Sequence, residues 1–232
     1  MHPSPTMCGR YALTVEPDVL TALFALKALT EYDRRYNLAP SQEAPVIVRD
    51  GASEEHVART MRWGLVPSWS KDSKIAYKTI NARSETAAVK PSFRSAFKRR
   101  RCLVPASWFY EWKRDGKEKI PYRIRRVDGD PLAFAGLWEE WNGSGTEAAR
   151  TTFTILTTSA SDDLADLHDR MPCIVERPDF DRWLTPEIED EEATARLLGP
   201  APAGTLVTDR VSTRVNNVRN EGPELLTPDT MF

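Results

Sequence analysis

The sequence predicts a single-domain α+β protein in which a mostly antiparallel, curved β-sheet or barrel is surrounded by peripheral helices. The chain has 232 residues, of which 41% are hydrophobic and 28% are charged, as is ordinary for one soluble domain with a sizeable core. Short strand-like runs dominate the middle of the chain, and short helical runs lie between them. Neither a repeat of fixed period nor a clear linker interrupts the sequence, which favours one unit over two.

The N-terminal part predicts one helix followed by two strands. The helix runs from residue 17 to about residue 29, because apolar residues recur there at helical spacing and Pro17 suits a first turn. Residues 1–6 carry no such pattern and are interpreted as a disordered leader. The two strands are predicted at 44–49 and 56–63.

Helices and strands alternate through the rest of the chain. Helical spacing of apolar residues predicts short helices at 85–89, 93–99, 161–167, 178–184 and 188–198. Runs rich in β-branched and aromatic residues, bounded by Gly, Pro or Asp, predict strands at 102–105, 108–113, 121–127, 132–138, 151–158 and 173–176. The stretch 143–145 is interpreted as a hairpin tip.

The composition limits the classes of protein to consider. No apolar stretch approaches the roughly 18 residues that span a bilayer, and the opening MHPSPTM lacks the regions of a secretory signal. Three cysteines form no paired framework, which suits a reducing compartment. We therefore expect a cytoplasmic protein, nucleoid-associated if it is bacterial. The net charge of -2 neither indicates nor excludes a nucleic-acid partner, because binding depends on local patches.

Cys8 is the most informative single residue of the sequence. If the chain were trimmed after Met7, Cys8 would carry a free α-amine and a thiol two carbons apart. The amine condenses with an aldehyde to a Schiff base, and the thiolate then closes a five-membered thiazolidine ring. An α-amino group titrates near pH ~8, so a useful neutral fraction exists at neutrality. A cysteine near a chain end is more often a small apolar residue, so the rest of the sequence must decide.

Eight polar or aromatic segments follow one another in a definite order. They are CGRY at 8–11, YNLAP at 36–40, MRWGLVPSW at 61–69, NARSET at 81–86, RCLVPASWFYEW at 101–112, AGLWEEW at 135–141, LHDRMP at 167–172 and VNNVRNEGPELL at 215–226. Together the sequence resembles the SRAP family (SOS response-associated peptidases), the abasic-site processing proteins. The resemblance extends from Cys8 to Leu226, and eight collinear segments are hard to attribute to chance.

The resemblance implies one SRAP-like domain over 8–232, with 1–7 a leader that is absent from the mature protein or removed from it. It implies binding of single-stranded DNA at an abasic site, and a thiazolidine crosslink between the N-terminal cysteine and the ring-opened sugar aldehyde. The crosslink would shield the lesion from strand cleavage and error-prone bypass. The family name also implies a peptidase activity that removes residues ahead of the cysteine. We expect no cofactor, no metal, no membrane partner and a monomer.

Four residues are identified with the family's catalytic positions: Cys8, Asn81, Glu111 and His168. Their chemistry suits those roles. His168 can supply the acid that opens the sugar and expels water. Glu111 can take the proton of the α-ammonium group, and Asn81 can orient a sugar hydroxyl or a phosphate.

Each of these side chains also has a structural interpretation. Asn81 would suit a helix cap, and His168 alone would more often be a surface histidine. Glu111 lies between Tyr110 and Trp112, so on a strand it points to the opposite face from them. In isolation such a carboxylate is more often exposed, and the family resemblance favours a pocket acid instead.

DNA contacts are predicted for two arginines and four ring-bearing residues. Arg10 and Arg83 match arginines that line the family's DNA-facing pocket and offer bidentate forks for phosphate. Trp63, Pro67 and Trp69 are expected to stack or wedge against bases, although core packing is the favoured alternative for Trp63. Pro40 is a further predicted DNA contact. Further basic residues are expected to meet phosphates, namely Lys74, Lys78, Arg94 and the run 98–101.

Two features depart from the family pattern. Six residues precede Met7, whereas the family's cysteine directly follows the initiator methionine. Translation that starts at Met7, or later removal of the leader, would expose Cys8, while a retained leader would turn its amine into an amide. Trp108 stands where family members usually carry a small residue, so it narrows the pocket or packs into the core.

Three other functions compete with the crosslinking interpretation. The first is an N-terminal-nucleophile amidohydrolase that uses Cys8 against amide bonds. The second is a DNA-binding module without covalent chemistry, whose binding is fully reversible and salt-sensitive. The third is a metal site built from His168 and Cys173 with Cys8 or Cys102, which no CxxC or HxxxH spacing supports.

Overall fold

Two β-sheets make up most of the structure, a computed structural model that describes residues 9–27, 29, 31–186, 194 and 196–229. The strands in chain order are β1 (Tyr11–Leu13), β2 (Arg35–Leu38), β3 (Glu43–Arg49), β4 (His56–Trp63), β5 (Asn81–Arg83), β6 (Arg101–Ala106), β7 (Trp108–Asp115), β8 (Glu118–Arg126), β9 (Leu132–Trp141), β10 (Arg150–Ser159), β11 (Arg170–Pro172) and β12 (Leu206–Arg210). Among the described residues, short α-helices lie at α1 (Pro17–Phe24), α2 (Ser84–Ala87), α3 (Arg94–Arg99) and α4 (Phe180–Leu184). Cys8, the predicted leader and most of the helix predicted at 188–198 lie outside the described residues.

The first sheet has five antiparallel strands in the order β12-β8-β7-β1-β2. Strand β1 is short and pairs with β7, with Tyr11 opposite Phe109 and Ala12 opposite Trp108. A two-residue turn at Gly116 joins β7 to β8, and its φ of 57° suits glycine. The N-terminal end of the described chain is therefore attached to the centre of this sheet.

The second sheet closes into a five-stranded barrel. Strands β10, β4, β3, β6 and β9 pair in that order, and β9 pairs back with β10. Strand β10 runs parallel to β4 and to β5, while the other pairings of this sheet are antiparallel. The barrel, the five-stranded sheet and the surrounding short helices confirm the predicted α+β architecture.

Aromatic rings join the two sheets. The ring of Tyr11 from β1 lies 5.2 Å from Trp63 of β4 and 6.1 Å from Phe134 of β9. Phe109 of β7 also meets Phe134, edge to face at 5.8 Å. All four rings are buried, so one continuous apolar core fixes the five-stranded sheet against the barrel.

A smaller apolar cluster covers the other face of the five-stranded sheet. Trp108 and Tyr110 pack there against Val211 and Val215, which belong to the C-terminal segment 211–226. Trp108 is 8% exposed, and its ring lies 5.8 Å from that of Tyr36. The large ring at this position therefore packs into the second cluster, on the face opposite Glu111.

Several predicted elements differ in length or place from the observed ones. Helix α1 ends at Phe24 and not near residue 29, because Ala25 adopts a left-handed φ of 50° and its N–H closes onto Thr21 O. The predicted strand at 173–176 is wrong, since the strand beside β10 is β11, which ends at Pro172. The predicted helix at 161–167 is only a 3₁₀ turn at Asp162–Leu164.

Other predictions hold closely. The strand predicted at 56–63 is β4, and the interpretation of 143–145 as a hairpin tip is confirmed by the connection between β9 and β10. Five short strands were not predicted, namely β1, β2, β5, β11 and β12. In the described part of the chain, no helix is long and apolar enough to cross a membrane.

Candidate active site

The described chain begins at Gly9, the covalent neighbour of Cys8. Arg10 comes next, and its carbonyl oxygen accepts a hydrogen bond of 3.0 Å from Tyr110 N–H, which extends the β1–β7 pairing toward the N-terminus. The Arg10 guanidinium donates to Asn37 Oδ1 at 2.7 Å and to Val215 O at 2.9 Å. Burial lowers the pKa of Arg10. The Arg10 side chain therefore links the start of the described chain to the C-terminal segment by hydrogen bonds.

Glu111 lies on β7, one residue beyond Tyr110. Its side chain is 4% exposed, so the exposed-strand interpretation of this carboxylate is wrong. Trp108 and Tyr110 pack into the second cluster, so alternation along the strand places Glu111 on the same face as the core residue Phe109. A buried carboxylate therefore lies on the inward face of the strand that pairs with β1.

Asn81 and Arg83 lie on β5, which runs along β10. Asn81 is opposite Ile155 and Arg83 is opposite Thr157. Asn81 is half-buried and Arg83 is exposed. Helix α2 begins at Ser84 with Arg83 at its N-cap position, so the helix-cap interpretation of Asn81 is wrong.

His168 lies in the connection that leads from β10 into β11, with its side chain 13% exposed. Its Nδ1 atom is 3.1 Å from the N–H of Arg170 and 2.8 Å from Oδ1 of Asp169. Burial lowers the pKa of His168, Asp169 opposes that shift, and Arg170 adds to it. In the neutral ring Nδ1 accepts from Arg170 N–H, whereas in the protonated ring Nδ1–H donates to Asp169.

Arg170 and Glu85 form an ion pair that sequence reasoning missed. The Arg170 guanidinium binds both carboxylate oxygens of Glu85, at 2.7 and 2.9 Å, and also donates to Thr157 O. This pair lowers the pKa of Glu85. It ties β11 to α2, and thereby holds the segment of His168 beside the segment of Asn81. Both residues lie within motif segments, Glu85 in NARSET and Arg170 in LHDRMP, and membership of these segments is the signal by which they could have been found.

The predicted catalytic residues come from both sheets. Glu111 belongs to the five-stranded sheet, while Asn81 and His168 belong to segments that flank β10 of the barrel. Tyr11 links the two regions, because its ring packs against Trp63, whose indole N–H donates to Ile80 O at 2.8 Å. Ile80 directly precedes Asn81.

The residues predicted to meet bases have different environments. Trp69 is 60% exposed, and Pro40 lies half-buried beside a surface cleft. Trp63 is 1% exposed and stacks on Phe153 inside the core. It presents no ring face to a base, so the prediction of base stacking is wrong for Trp63 and its core-packing alternative is confirmed.

The basic run 98–101 is not one charged surface. Lys98 and Arg99 are exposed, but Arg100 forms a 2.7 Å ion pair with the buried Glu139. Arg101 is 3% exposed, and burial lowers its pKa to about 10. Its guanidinium donates to the backbone oxygens of Trp183 at 2.7 Å, Phe97 at 2.8 Å and Lys98 at 3.3 Å, and also to that of Thr185. The prediction of phosphate contact is wrong for Arg101, whereas Lys74, Lys78 and Arg94 are exposed as predicted.

The competing metal site involves two buried cysteines. Cys102 and Cys173 are both free thiols, and burial raises the pKa of Cys173 to about 12. Within the described ranges, no group of three or more His, Cys, Asp or Glu side chains is placed to hold a metal ion.

Comparison with protein families gives one match over most of the chain. The family described as SOS response associated peptidase (SRAP) matches residues 7–218. Among curated relatives, the abasic site processing protein YoqW of Bacillus subtilis is 42% identical over 224 residues, covering 95% of this chain and 99% of its own. The abasic site processing protein YedK of Escherichia coli is 33% identical over 230 residues, covering 96% of this chain and 100% of its own.

A vertebrate relative and two solved structures are also similar. The abasic site processing protein HMCES of Gallus gallus is 36% identical, covering 85% of this chain and 67% of its own. A crystal structure of a Bordetella bronchiseptica protein superposes with a TM-score of 0.75 at 30% identity, covering 88% of this chain and all of that one. A Bacteroides thetaiotaomicron protein superposes with a TM-score of 0.84 at 24% identity, covering 96% and 100%, which supports the fold alone.

Proposed function

This chain belongs to the SRAP family, and from that premise we propose that it processes abasic sites in DNA by forming a covalent crosslink through Cys8. Relatives named as abasic site processing proteins match it at 33–42% identity over almost its whole length, which supports the substrate. The observation that carries the mechanism is Glu111, a buried carboxylate beside the strand that leads from Cys8 into the fold.

The reaction joins two functional groups and releases one water. The α-amine of Cys8 attacks the aldehyde carbon of the ring-opened deoxyribose and gives a carbinolamine. Loss of hydroxide, protonated to water, leaves a Schiff base. The Cys8 thiolate then adds to the imine carbon while the imine nitrogen takes a proton, and the thiazolidine ring closes. The crosslinked product therefore weighs the sum of protein and DNA less one water.

Glu111 takes the proton of the α-ammonium group in this proposal. Only the neutral amine attacks the aldehyde, so a base beside it raises the reactive fraction. Burial on the inward face of β7 shields the carboxylate from bulk water and strengthens its attraction for the ammonium group. The attachment of Arg10 to Tyr110 keeps the chain start next to the strand that carries this acid.

His168 supplies the proton that leaves with the hydroxyl of the carbinolamine. Its lowered pKa makes the protonated ring a stronger acid than a free histidine, and the protonated ring is the form that gives up the proton. The Arg170 N–H bound to Nδ1 leaves the proton of the neutral ring on Nε2. We infer that this Nε2–H is the group that faces the sugar.

Asn81 and Arg83 orient the DNA around the reacting carbon. The Asn81 amide can accept and donate at once, and the exposed Arg83 can bind a flanking phosphate. Trp69 and Pro40 supply ring surfaces for adjacent bases, while Lys74 and Lys78 meet the backbone. An abasic site offers no base to read, so we expect single-stranded DNA to bind with little sequence preference.

The crosslink requires a free α-amine on Cys8. We propose that residues 1–7 are absent from the active protein, through translation from Met7 with ordinary methionine removal or through cleavage by the protein itself. The two routes differ in one observable. Only self-cleavage would process a purified full-length chain, and it would stop when Glu111 or His168 is replaced.

The test is intact mass spectrometry of the chain that begins at Cys8, incubated with a single-stranded oligonucleotide carrying one abasic site. We expect a product at the summed mass less one water that survives full denaturation. Cys8→Ser should abolish the denaturant-resistant product and keep reversible binding. Glu111→Gln and His168→Ala should slow its formation while the proteins remain folded.

The alternatives give different outcomes in the same experiment. A chain beginning at Cys8 that binds the oligonucleotide but gains no mass would leave a reversible DNA-binding module. A chain that neither binds nor gains mass would favour an N-terminal-nucleophile amidohydrolase. A denaturant-resistant product that persists in Cys8→Ser would show that the Cys8 thiol is not required and would overturn the thiazolidine.

A further inference from the structure

A cleft on the barrel contains two arginines to which no role has been given. It is lined by Pro40, Arg62, Ser73, Tyr77, Ile80 and Arg150, among others. It lies between the outer surface of the barrel and the segment that connects β4 to β5. Ile80 directly precedes Asn81, so the cleft adjoins the proposed reaction site.

Strand register places both arginines on one face. Arg62 of β4 is opposite Thr152 of β10, and Trp63 is opposite Phe153. The rings of Trp63 and Phe153 stack in the core, so Arg62, Thr152 and, two residues before it, Arg150 point away from the core. The two guanidinium groups therefore share the outer face, on diagonal neighbours that long side chains can bridge.

Neither arginine forms an ion pair with a carboxylate of the described residues. The acidic group beside Arg150 is Glu147, which accepts a 3.0 Å hydrogen bond from Ser73 N–H. Hydrogen bonds from Ser73 lower the pKa of Glu147, and the charge of Arg150 adds to that shift.

In the part of the chain that the structure describes, the Arg62 side chain has no ion pair or hydrogen bond, although Glu43 is opposite it across β3 and β4. Arg150 lies 5.6 Å over the ring of Trp141, and its Nε atom is 3.5 Å from Ala148 O. Both side chains are half-buried. Half-buried arginines that share a face and form no ion pair suit an anion with several acceptor oxygens.

The cleft is too narrow for a nucleobase but suits a phosphate at its mouth. Its cavity volume is about 30 Å³, which is room for about one or two water-sized groups. Tyr77 at its edge is 72% exposed, so its ring is available for stacking outside the cleft. Base–aromatic stacking and a basic groove are the two features that single-stranded DNA sites combine.

We propose that Arg62 and Arg150 bind a backbone phosphate of a nucleotide flanking the abasic site, and that the base of that nucleotide stacks on Tyr77. This assignment rests on the proposed function, because it takes the DNA strand as the ligand and extends it from Asn81 past Ile80 into the cleft. It adds a second anchor on the strand, away from the reacting sugar.

The test measures reversible binding, so that it does not depend on Cys8 chemistry. A fluorescent single-stranded oligonucleotide carries a tetrahydrofuran abasic analogue, which has no aldehyde, and anisotropy gives Kd over a range of salt concentrations. Each phosphate contact on a single strand contributes about 0.7 to the slope of log K against log salt. We expect Arg62→Gln/Arg150→Gln to bind about tenfold more weakly and to lower that slope by about 0.7.

Two further variants separate charge from stacking. Tyr77→Ala should weaken binding without changing the salt slope, and Tyr77→Phe should restore it, because stacking involves no counterion release. Arg114→Gln is the matched control, an exposed arginine near the turn between β7 and β8, and should leave both affinity and slope unchanged. Circular dichroism of each variant checks that it is folded.

Oligonucleotides shortened from one end or the other locate the contact. The difference between wild type and the double arginine variant should vanish when nucleotides are removed from one side of the lesion and persist when they are removed from the other. A double variant with wild-type slope and affinity would overturn the cleft assignment, even if crosslinking at Cys8 proceeds. The opposite result is also distinguishable. If the double variant shows the expected loss of slope but the wild type forms no crosslink to a true abasic site, the proposed chemistry is overturned and the cleft assignment stands.

Discussion

The arginines of the run 98–101 and the arginines of the cleft differ in what their guanidinium groups contact. Arg101 is fully engaged with backbone oxygens of α3 and α4, and Arg100 is paired with the buried Glu139. Arg62 has no such partner among the described residues, and Arg150 lies on an indole ring. Clustering of positive charge along the chain therefore did not separate the engaged Arg100 and Arg101 from the exposed Lys98 and Arg99. For Arg62 and Arg150 the position along the strand is the better guide, because alternation decides whether a long side chain points to the core or away from it.

The largest effect should follow replacement of Arg101. Arg101→Met would leave several buried carbonyl oxygens without a donor, and each such loss is expensive. We expect the free energy of unfolding to fall by about 3–5 kcal/mol, measured by urea denaturation. Arg99→Met, at the exposed neighbour, should change it by less than about 0.5 kcal/mol. Equal losses of stability at the two positions would mean that the buried Arg101 contributes no more to the fold than the exposed Arg99.

Arg100→Met should destabilise the fold in a pH-dependent way. Burial raises the pKa of Glu139 and Arg100 opposes that shift, so the variant raises the folded-state pKa further. The folded state then holds the Glu139 proton more tightly than the unfolded state. Its stability consequently falls as the pH rises from about 4.3 through the folded-state pKa.

Urea denaturation of Arg100→Met at two pH values provides the measurement. We expect a loss of about 1–3 kcal/mol near neutrality and a smaller loss at about pH 5. Adding Glu139→Gln should remove most of this pH dependence, because no carboxylate remains to be buried. A loss of stability that is the same at both pH values would mean that Arg100 does not influence the folded-state pKa of Glu139.

At the proposed site, Asp169→Asn should lower the pKa of His168 further. Asp169 opposes the downward shift caused by burial, and removal of its charge takes away the partner of the protonated ring. The pKa is read from the ring proton resonances by NMR titration, with His168→Gln to assign them. A pKa that stays constant or rises would mean that Arg170 N–H alone sets the state of Nδ1.

The lowered pKa of His168 also makes the stability of the fold depend on pH. A histidine whose folded-state pKa is lowered binds its proton more weakly in the folded state. Its stabilising contribution is full above about pH 6.5 and is lost as the pH falls from there through the folded-state pKa. His168→Gln should therefore flatten the stability profile below about pH 6.5, as measured by urea denaturation.

The smallest effect is expected for stability at the cleft. Arg62→Gln and Arg150→Gln remove charges that form no ion pair among the described residues, so each should change the free energy of unfolding by less than about 0.5 kcal/mol. Thermal or urea denaturation checks this value. A loss as large as that of Arg101→Met would show that these arginines support the fold, and any change in their DNA binding would then need a structural explanation.

Long strands of the barrel were predictable from the sequence, whereas the shortest strands were not. Strand β4 runs from His56 to Trp63 as predicted, because its length lets alternation and β-branched residues show. Strands β1 and β5 have three residues each, too few for any periodicity. They are strands only because β7 and β10 offer them an edge to pair with.

The candidate site was predictable to a similar, partial extent. The motif resemblance named Asn81, Glu111 and His168, and strand alternation gave the face of Glu111 relative to its aromatic neighbours. Alternation cannot tell which face is buried, and that came only from the packing of the C-terminal segment on Trp108 and Tyr110. The cleft was missed because Arg62 and Arg150 become neighbours only through the parallel pairing of β4 with β10.

The contact between Arg10 and Val215 O has a consequence for how the protein is made. Synthesis produces the N-terminal strand first, yet Asn37 must wait for the backbone oxygens of Val215, Asn217 and Asn220 to complete its hydrogen bonds. Until then the C-terminal segment does not pack on Trp108 and Tyr110, and this face of their sheet stays exposed to solvent. A ribosome that stalls before residue 211 would thus release a chain with an uncovered aromatic surface, a substrate for chaperones and proteases.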